Sequence, residues 1–213
     1  MHLTHVLLFA VCLAGAIPRA AANASVPSPD DVPPNLVLDG LEVPDSALRA
    51  AVRPYLEFRP TTFQDWHPSR RGMLVLSREG QTPQLHEVRV PSGRRRPIAA
   101  FSERVAGGAY APGSGDPIVM MADRGGDEFY QLFRVAGSDN EPVLLTDGRS
   151  RNTGPRWSDR GTLLAYVSTR RNGRDTDLYV MDPRKPETDR RVAELPGGGW
   201  RVLDGSPDDR RLL

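Results

Sequence analysis

The sequence predicts an all-β fold, an incomplete β-propeller of about three to four blades with a short helical arm in front of it. Three observations carry this. Short strand-like runs recur in one phase, led by Trp66, Tyr110, Trp157 and Gly205, which lie 44, 47 and 48 residues apart. A period of about 40–50 residues made of short strands is the signature of propeller blades. The clearest unit, Trp157 to Pro183, holds two strands and the polar turns that bound them. The 20 glycines and 20 prolines among 213 residues suit a turn-rich β protein rather than a helical one.

Taken in order, Met1 to Ala24 reads as a secretory signal peptide. Val6 to Ile17 is the apolar segment, too short to span a bilayer. Ala20-Ala21-Ala22 offers a small-x-small cleavage pattern, with Ala22-Asn23-Ala24 as the alternative. The segment before Cys12, Phe9-Ala10-Val11, is a poor lipidation box. Residues 25–57 are expected to form a linker and N-terminal arm. Asp45 or Ser46 can cap a short helix there. Leu48, Val52 and Tyr55 or Leu56 share its apolar face, packed on the blades, and Pro54 distorts or ends it.

Residues 58–213 are the partial propeller, with blades starting near 66, 110, 157 and 205 and the last cut short. Paired strands are expected at Met73–Ser77 with Leu85–Val90, Pro117–Asp123 with Tyr130–Val135, and Leu163–Ser168 with Asp177–Met181. Asn172-Gly173 is a strong hairpin turn, and Pro183 cannot donate to a ladder, so a strand ends there. Further strands follow at Pro97–Phe101, Glu141–Thr146 and Arg191–Leu195. Lead-in segments at 106–110, 152–157 and 197–202 bring each blade to about four strands.

Composition excludes several classes. The formal net charge is +1, and Arg19 lies in the leader, so the mature chain is near neutral. Nothing there attracts nucleic acid or anionic lipid. Cys12 is the one cysteine and lies in the leader, so the mature chain forms no internal disulfide. No stable membrane insertion is expected after cleavage, and the product is exported to the periplasm or the medium. Propellers usually close with four to eight blades, so the chain reads as a fragment of a longer protein. A ring completed by a second chain is the alternative and needs special geometry.

Several segments together resemble the N-terminal part of a secreted prolyl oligopeptidase family serine peptidase. They are Tyr55–Arg59, Phe63–Pro68, Gly125–Leu132, Leu145–Gly154 and Ser168–Tyr179. The Ser-Pro-Asp turns and Leu-Tyr-Val strands are shared with TolB-like envelope propellers, which act as protein-binding modules. The resemblance implies a propeller that gates or orients peptide substrates for a C-terminal α/β-hydrolase domain of the same parent. The implied G-x-S-x-G elbow has no match in this chain, so no catalytic residue carries over.

The other constellations are weak. Gly113-Ser114-Gly115 lacks elbow spacing. His67, in a turn, and His86, in a strand, each stand alone, so no metal site and no cofactor is expected. Asp123, Asp127 and Glu128 surround Gly125-Gly126 and could bind an amino terminus or a cation, but read better as a solvated turn. Arg149, Arg151, Arg170, Arg171 and Arg174 could meet substrate carboxylates. Solvent exposure, or pairing with Asp147, Asp159, Asp175 and Asp177, explains them better. Trp66 and Trp157 hold equivalent positions suited to packing between blades. Substrate-binding residues are unknown from sequence.

Overall fold

A computed structural model describes residues 35–37, 39–40, 44–137 and 140–213. The expected leader and most of the linker lie outside the described residues. The chain divides into two units, Met1–Phe58 and Arg59–Leu213. In the first, α1 spans Ser46–Leu56. Asp45 caps it, its carboxylate accepting the Leu48 N–H at 2.7 Å. Pro54 does not end the helix, which runs on to Leu56. Leu48, Val52, Tyr55 and Leu56 are exposed, and α1 buries none of its residues. No helix among the described residues is long and apolar enough to cross a membrane.

The second unit consists of three four-stranded antiparallel sheets. Blade one is β1 (Thr61–Trp66), β2 (Met73–Ser77), β3 (Gln84–Val88) and β4 (Arg96–Pro97). Blade two is β5 (Val105–Tyr110), β6 (Ile118–Ala122), β7 (Gln131–Val135) and β8 (Val143–Leu144). Blade three is β9 (Asn152–Trp157), β10 (Leu164–Ser168), β11 (Asp177–Asp182) and β12 (Lys185–Ala193). Each sheet runs in simple sequence order. Each first strand carries a register irregularity against the second, at Phe63/Asp65, Val105/Gly107 and opposite Ala165/Val167. Each irregularity bends its first strand, at a different point in each blade.

The middle strands match their expected positions within about two residues; the outer ones depart further. β4 and β8 shrink to two residues each, whereas β12 extends to nine. Long links precede β4 and β8, but only Pro183-Arg184 separates β11 from β12, so pairing resumes at once. The segment 197–202 forms no strand; the hairpin beyond it closes on a single bridge, Gly205 to Leu212.

Alternation along each strand builds the core as seams between blades. Leu74 and Leu85 of blade one meet Met120, Ala122 and Val135 of blade two, together with Val105, Tyr110 and Ile98. Val119 and Leu132, on the opposite face of blade two, meet Leu164, Tyr166, Tyr179 and Met181 of blade three. The far face of blade three, Ala165 and Val180, takes Val202. Each such side chain contributes roughly 1.5–3 kcal/mol when fully buried.

Turns add a second set of links. Gly115 lies against the His67 ring, Gly161 against Pro112, and the Thr162 hydroxyl donates to Asp209 at 3.0 Å. Arg184 ties two of these loops, donating to the carbonyls of Gly161 at 2.9 Å and Asp116 at 2.8 Å. Gly161 has φ +65°, and a Cβ there would lie 2.7 Å from the Pro112 carbonyl oxygen. Gly173 has φ +76° but open space around it. Gly173→Ala should therefore lose only the left-handed backbone preference, about 1–2 kcal/mol. Gly161→Ala should lose more, because blade two must also shift. Equal urea midpoints for the two variants would contradict the close approach.

Candidate functional site

Polar side chains converge in the first seam, where blade two meets the β1–β2 turn. A cavity of about 390 Å³ opens there, walled by His67, Arg70, Glu87, Arg89, Tyr110 and the loop Ser114–Asp116. Glu87 is a buried carboxylate on β3. It accepts from Arg70, from Arg89 Nε at 2.6 Å and from the Tyr110 hydroxyl at 3.0 Å. Burial pushes the Glu87 carboxyl up, but hydrogen bonds from Arg89, Tyr110 and Arg70 win and hold it below its ordinary value. Burial and then the Glu87 charge push the Tyr110 hydroxyl up. Tyr110 also donates its backbone N–H to Asp65 at 3.0 Å. The His67 ring packs on Tyr110 at 4.7 Å between centroids. Its Nδ1 accepts the Ser69 N–H at 3.2 Å, so the neutral ring carries its proton on Nε2. Burial first, then Arg70, lowers the His67 pKa.

The remaining candidates resolve separately. His86 is buried in β3 with Nδ1 3.1 Å from Ser77 Oγ, and Glu79 lies 3.8 Å from its Nε2. That order imitates a catalytic triad. However, Nδ1 also lies 3.0 Å from the Gln84 carbonyl oxygen, which only an N–H can satisfy, and Ser77 is itself buried. A nitrogen already protonated cannot serve as the base. Ser114 donates its hydroxyl proton to the Asp116 carbonyl at 2.7 Å and has no basic partner among the described residues.

Asp123 departs from expectation. Asp127 and Glu128 are exposed, as a solvated turn requires, but the Asp123 side chain is buried. One of its oxygens accepts the Glu128 N–H at 3.2 Å, and the other, Oδ1, has no donor. The arginines are paired. Arg171 binds Asp177 and Asp175, Arg174 binds Asp175, Arg149 lies 3.9 Å from Asp147, and Arg151 lies 3.7 Å from Glu128. Arg170 pairs with Asp189, which sequence reasoning had not offered it. Trp157 packs into the second seam, whereas Trp66, at the same position of blade one, is 64 % exposed. Among the described residues no group of three acidic, histidine or cysteine side chains could hold a metal ion.

Two solved structures resemble this arrangement. TolB from Acinetobacter baumannii aligns with a TM-score of 0.55 at 17 % identity, over 72 % of this chain and 37 % of that one. A putative TolB from Agrobacterium tumefaciens aligns with a TM-score of 0.52 at 21 % identity, over 65 % of this chain and 51 % of that one. The blades are those of a TolB-like propeller. In sequence, 71 residues are 38 % identical to the uncharacterized peptidase YuxL of Bacillus subtilis strain 168. That match spans 33 % of this chain and 10 % of the Bacillus protein. No family model matches the chain.

Within this TolB-like framework, the seam network of Glu87, Arg70, Arg89 and Tyr110 escaped the sequence reading. The one available signal was a Glu inside the strand Leu85–Val90, between His86 and Val88. A carboxylate at a core position demands buried partners. Those partners lie 17 and 23 residues away in Arg70 and Tyr110.

Proposed function

We propose that this chain is the non-catalytic propeller portion of an exported serine peptidase of the prolyl oligopeptidase type. It gates or orients peptides for an α/β-hydrolase domain of the same parent protein. The observation that carries the proposal is the 38 % identity over 71 residues to a Bacillus peptidase. The described residues supply blades and seams but no usable nucleophile and base, which fits a supporting role. Export rests on the leader read over residues 1–24.

A serine-reactive fluorophosphonate tests the proposal, applied to the 213-residue chain and to the product of the whole reading frame. The whole product should be labelled at a serine outside residues 1–213, and the 213-residue chain should not. Failure of the whole product to label, or labelling within these residues, would overturn it. The TolB-like fold supports a second reading, an envelope protein-binding module. Recovery of one stable partner from envelope extract, without peptidase activity in the whole product, would favour that module.

A further inference from the structure

Asn172, in the turn between β10 and β11, is the one asparagine of the chain followed by glycine. Such a pair carries its own chemistry. Glycine has no Cβ, so its backbone nitrogen approaches the preceding carboxamide unhindered. Attack of that nitrogen on the asparagine Cγ closes a five-membered succinimide and expels ammonia. The proton given up by the attacking nitrogen is matched by the one the departing NH2 group takes on. Water then opens the ring. Aspartate results, or isoaspartate where the original peptide bond is the one broken.

The turn holds both reacting groups. The Gly173 N–H donates to the Thr169 carbonyl at 2.7 Å, so the nucleophile keeps its proton while the turn is closed. The Asn172 carboxamide is held at both ends. Its Oδ1 accepts the N–H of Arg174 at 3.1 Å and of Asp175 at 2.9 Å, and its Nδ2 donates to Asp175 Oδ2 at 2.9 Å. The two N–H groups polarise the carbonyl that is attacked, so the hydrogen bond to Thr169 is the latch. Asn172 and Gly173 are exposed, which admits water to the ring once it forms. Asp175, by contrast, is buried. It accepts Arg171 at 3.2 Å and the Gly197 N–H at 3.0 Å, and so ties the turn to the segment beyond β12.

We infer that Asn172 is a deamidation site latched by its own turn. The closed hairpin withholds the reaction, and local opening releases it. The product places a carboxylate where a donor to Asp175 stood. Two carboxylates at hydrogen-bonding distance repel, so the tie to Gly197 weakens and the turn opens more readily from then on.

The test incubates the 213-residue chain at mildly alkaline pH, in buffer and in concentrated guanidinium chloride. Mass spectrometry of a digest follows the conversion of each asparagine to the acid. In denaturant Asn172 should convert well ahead of Asn140, which is exposed but followed by glutamate. In buffer Asn172 should convert at least about tenfold more slowly than in denaturant. Equal rates at the two asparagines in denaturant would overturn the site, and equal rates in buffer and denaturant would overturn the latch. Asn172→Asp should lower the urea midpoint more than Asn172→Ser, which also removes the amide but adds no charge. Equal losses would overturn the repulsion. Should the first variant fail to fold, wild-type protein aged after folding carries the same added charge. Limited proteolysis should then cut its deamidated fraction first, and equal cutting of both fractions would overturn the weakening.

Discussion

Asp177→Ala should unfold blade three at temperatures where the other blades persist. Asp177 begins β11 with its side chain fully out of solvent. Its Oδ2 receives Arg171 Nε at 2.6 Å, and its Oδ1 receives Arg171 at 3.1 Å and the Leu195 N–H at 2.9 Å. Arg191 adds a contact at 3.4 Å. The carboxylate thus joins the β10–β11 turn to β12 and the segment after it. Truncation leaves a guanidinium and a backbone N–H without their acceptor, which costs roughly 3–5 kcal/mol. The Arg171 hydrogen bond, reinforced by the Leu195 N–H, holds the Asp177 carboxyl below its ordinary value despite burial. A depressed carboxyl stabilises the fold above its unfolded pKa, about 3.9, and that stabilisation fades as pH falls through the lower folded value. Asp177→Asn should therefore be less stable than wild type at neutral pH and show a shallower loss as pH falls below about 4. Circular dichroism melts across that range measure both. Parallel acid limbs would refute the linkage.

Tyr166→Ala should separate blades two and three. Tyr166 is fully buried in the second seam and stacks on Tyr179 at 5.7 Å between centroids. Its hydroxyl donates to the Asp189 carboxylate at 2.9 Å. Arg170 pairs with Asp189 and lies 3.6 Å over the Tyr179 ring. Removal of the ring opens a cavity between the sheets and costs about 3–5 kcal/mol. Tyr166→Phe keeps the ring and should cost only about 1–1.5 kcal/mol, because Arg170 still compensates Asp189. Urea midpoints rank the two variants, and limited proteolysis should cut the alanine variant near the link between β8 and β9. A phenylalanine variant as damaged as the alanine one would shift the weight from the ring to the hydroxyl.

The parts legible in the sequence were those with short-range causes. The runs Met73–Ser77 and Leu164–Ser168 announce strands through apolar and β-branched residues, and Asn172-Gly173 announces its turn. β1 was not read as a strand, because Thr61–Trp66 is polar and largely exposed, with no alternation to betray it. The length of β12 was missed: a strand was expected only at Arg191–Leu195, whereas pairing starts at Lys185 and passes through Pro186, which an outer strand tolerates. The seam cavity was illegible for another reason. Its carboxylate, two arginines and tyrosine come from three separate segments, and the stacking of blade two on blade one adds the tyrosine to the rest.

The turn contacts have a consequence for biosynthesis. His67 rests on Gly115, and Pro112 rests on Gly161. Each sector is thus latched by residues that leave the ribosome about one repeat later than its own. During that lag the newest strands show an unsealed lateral surface, and that is the interval in which a holdase has something to grip.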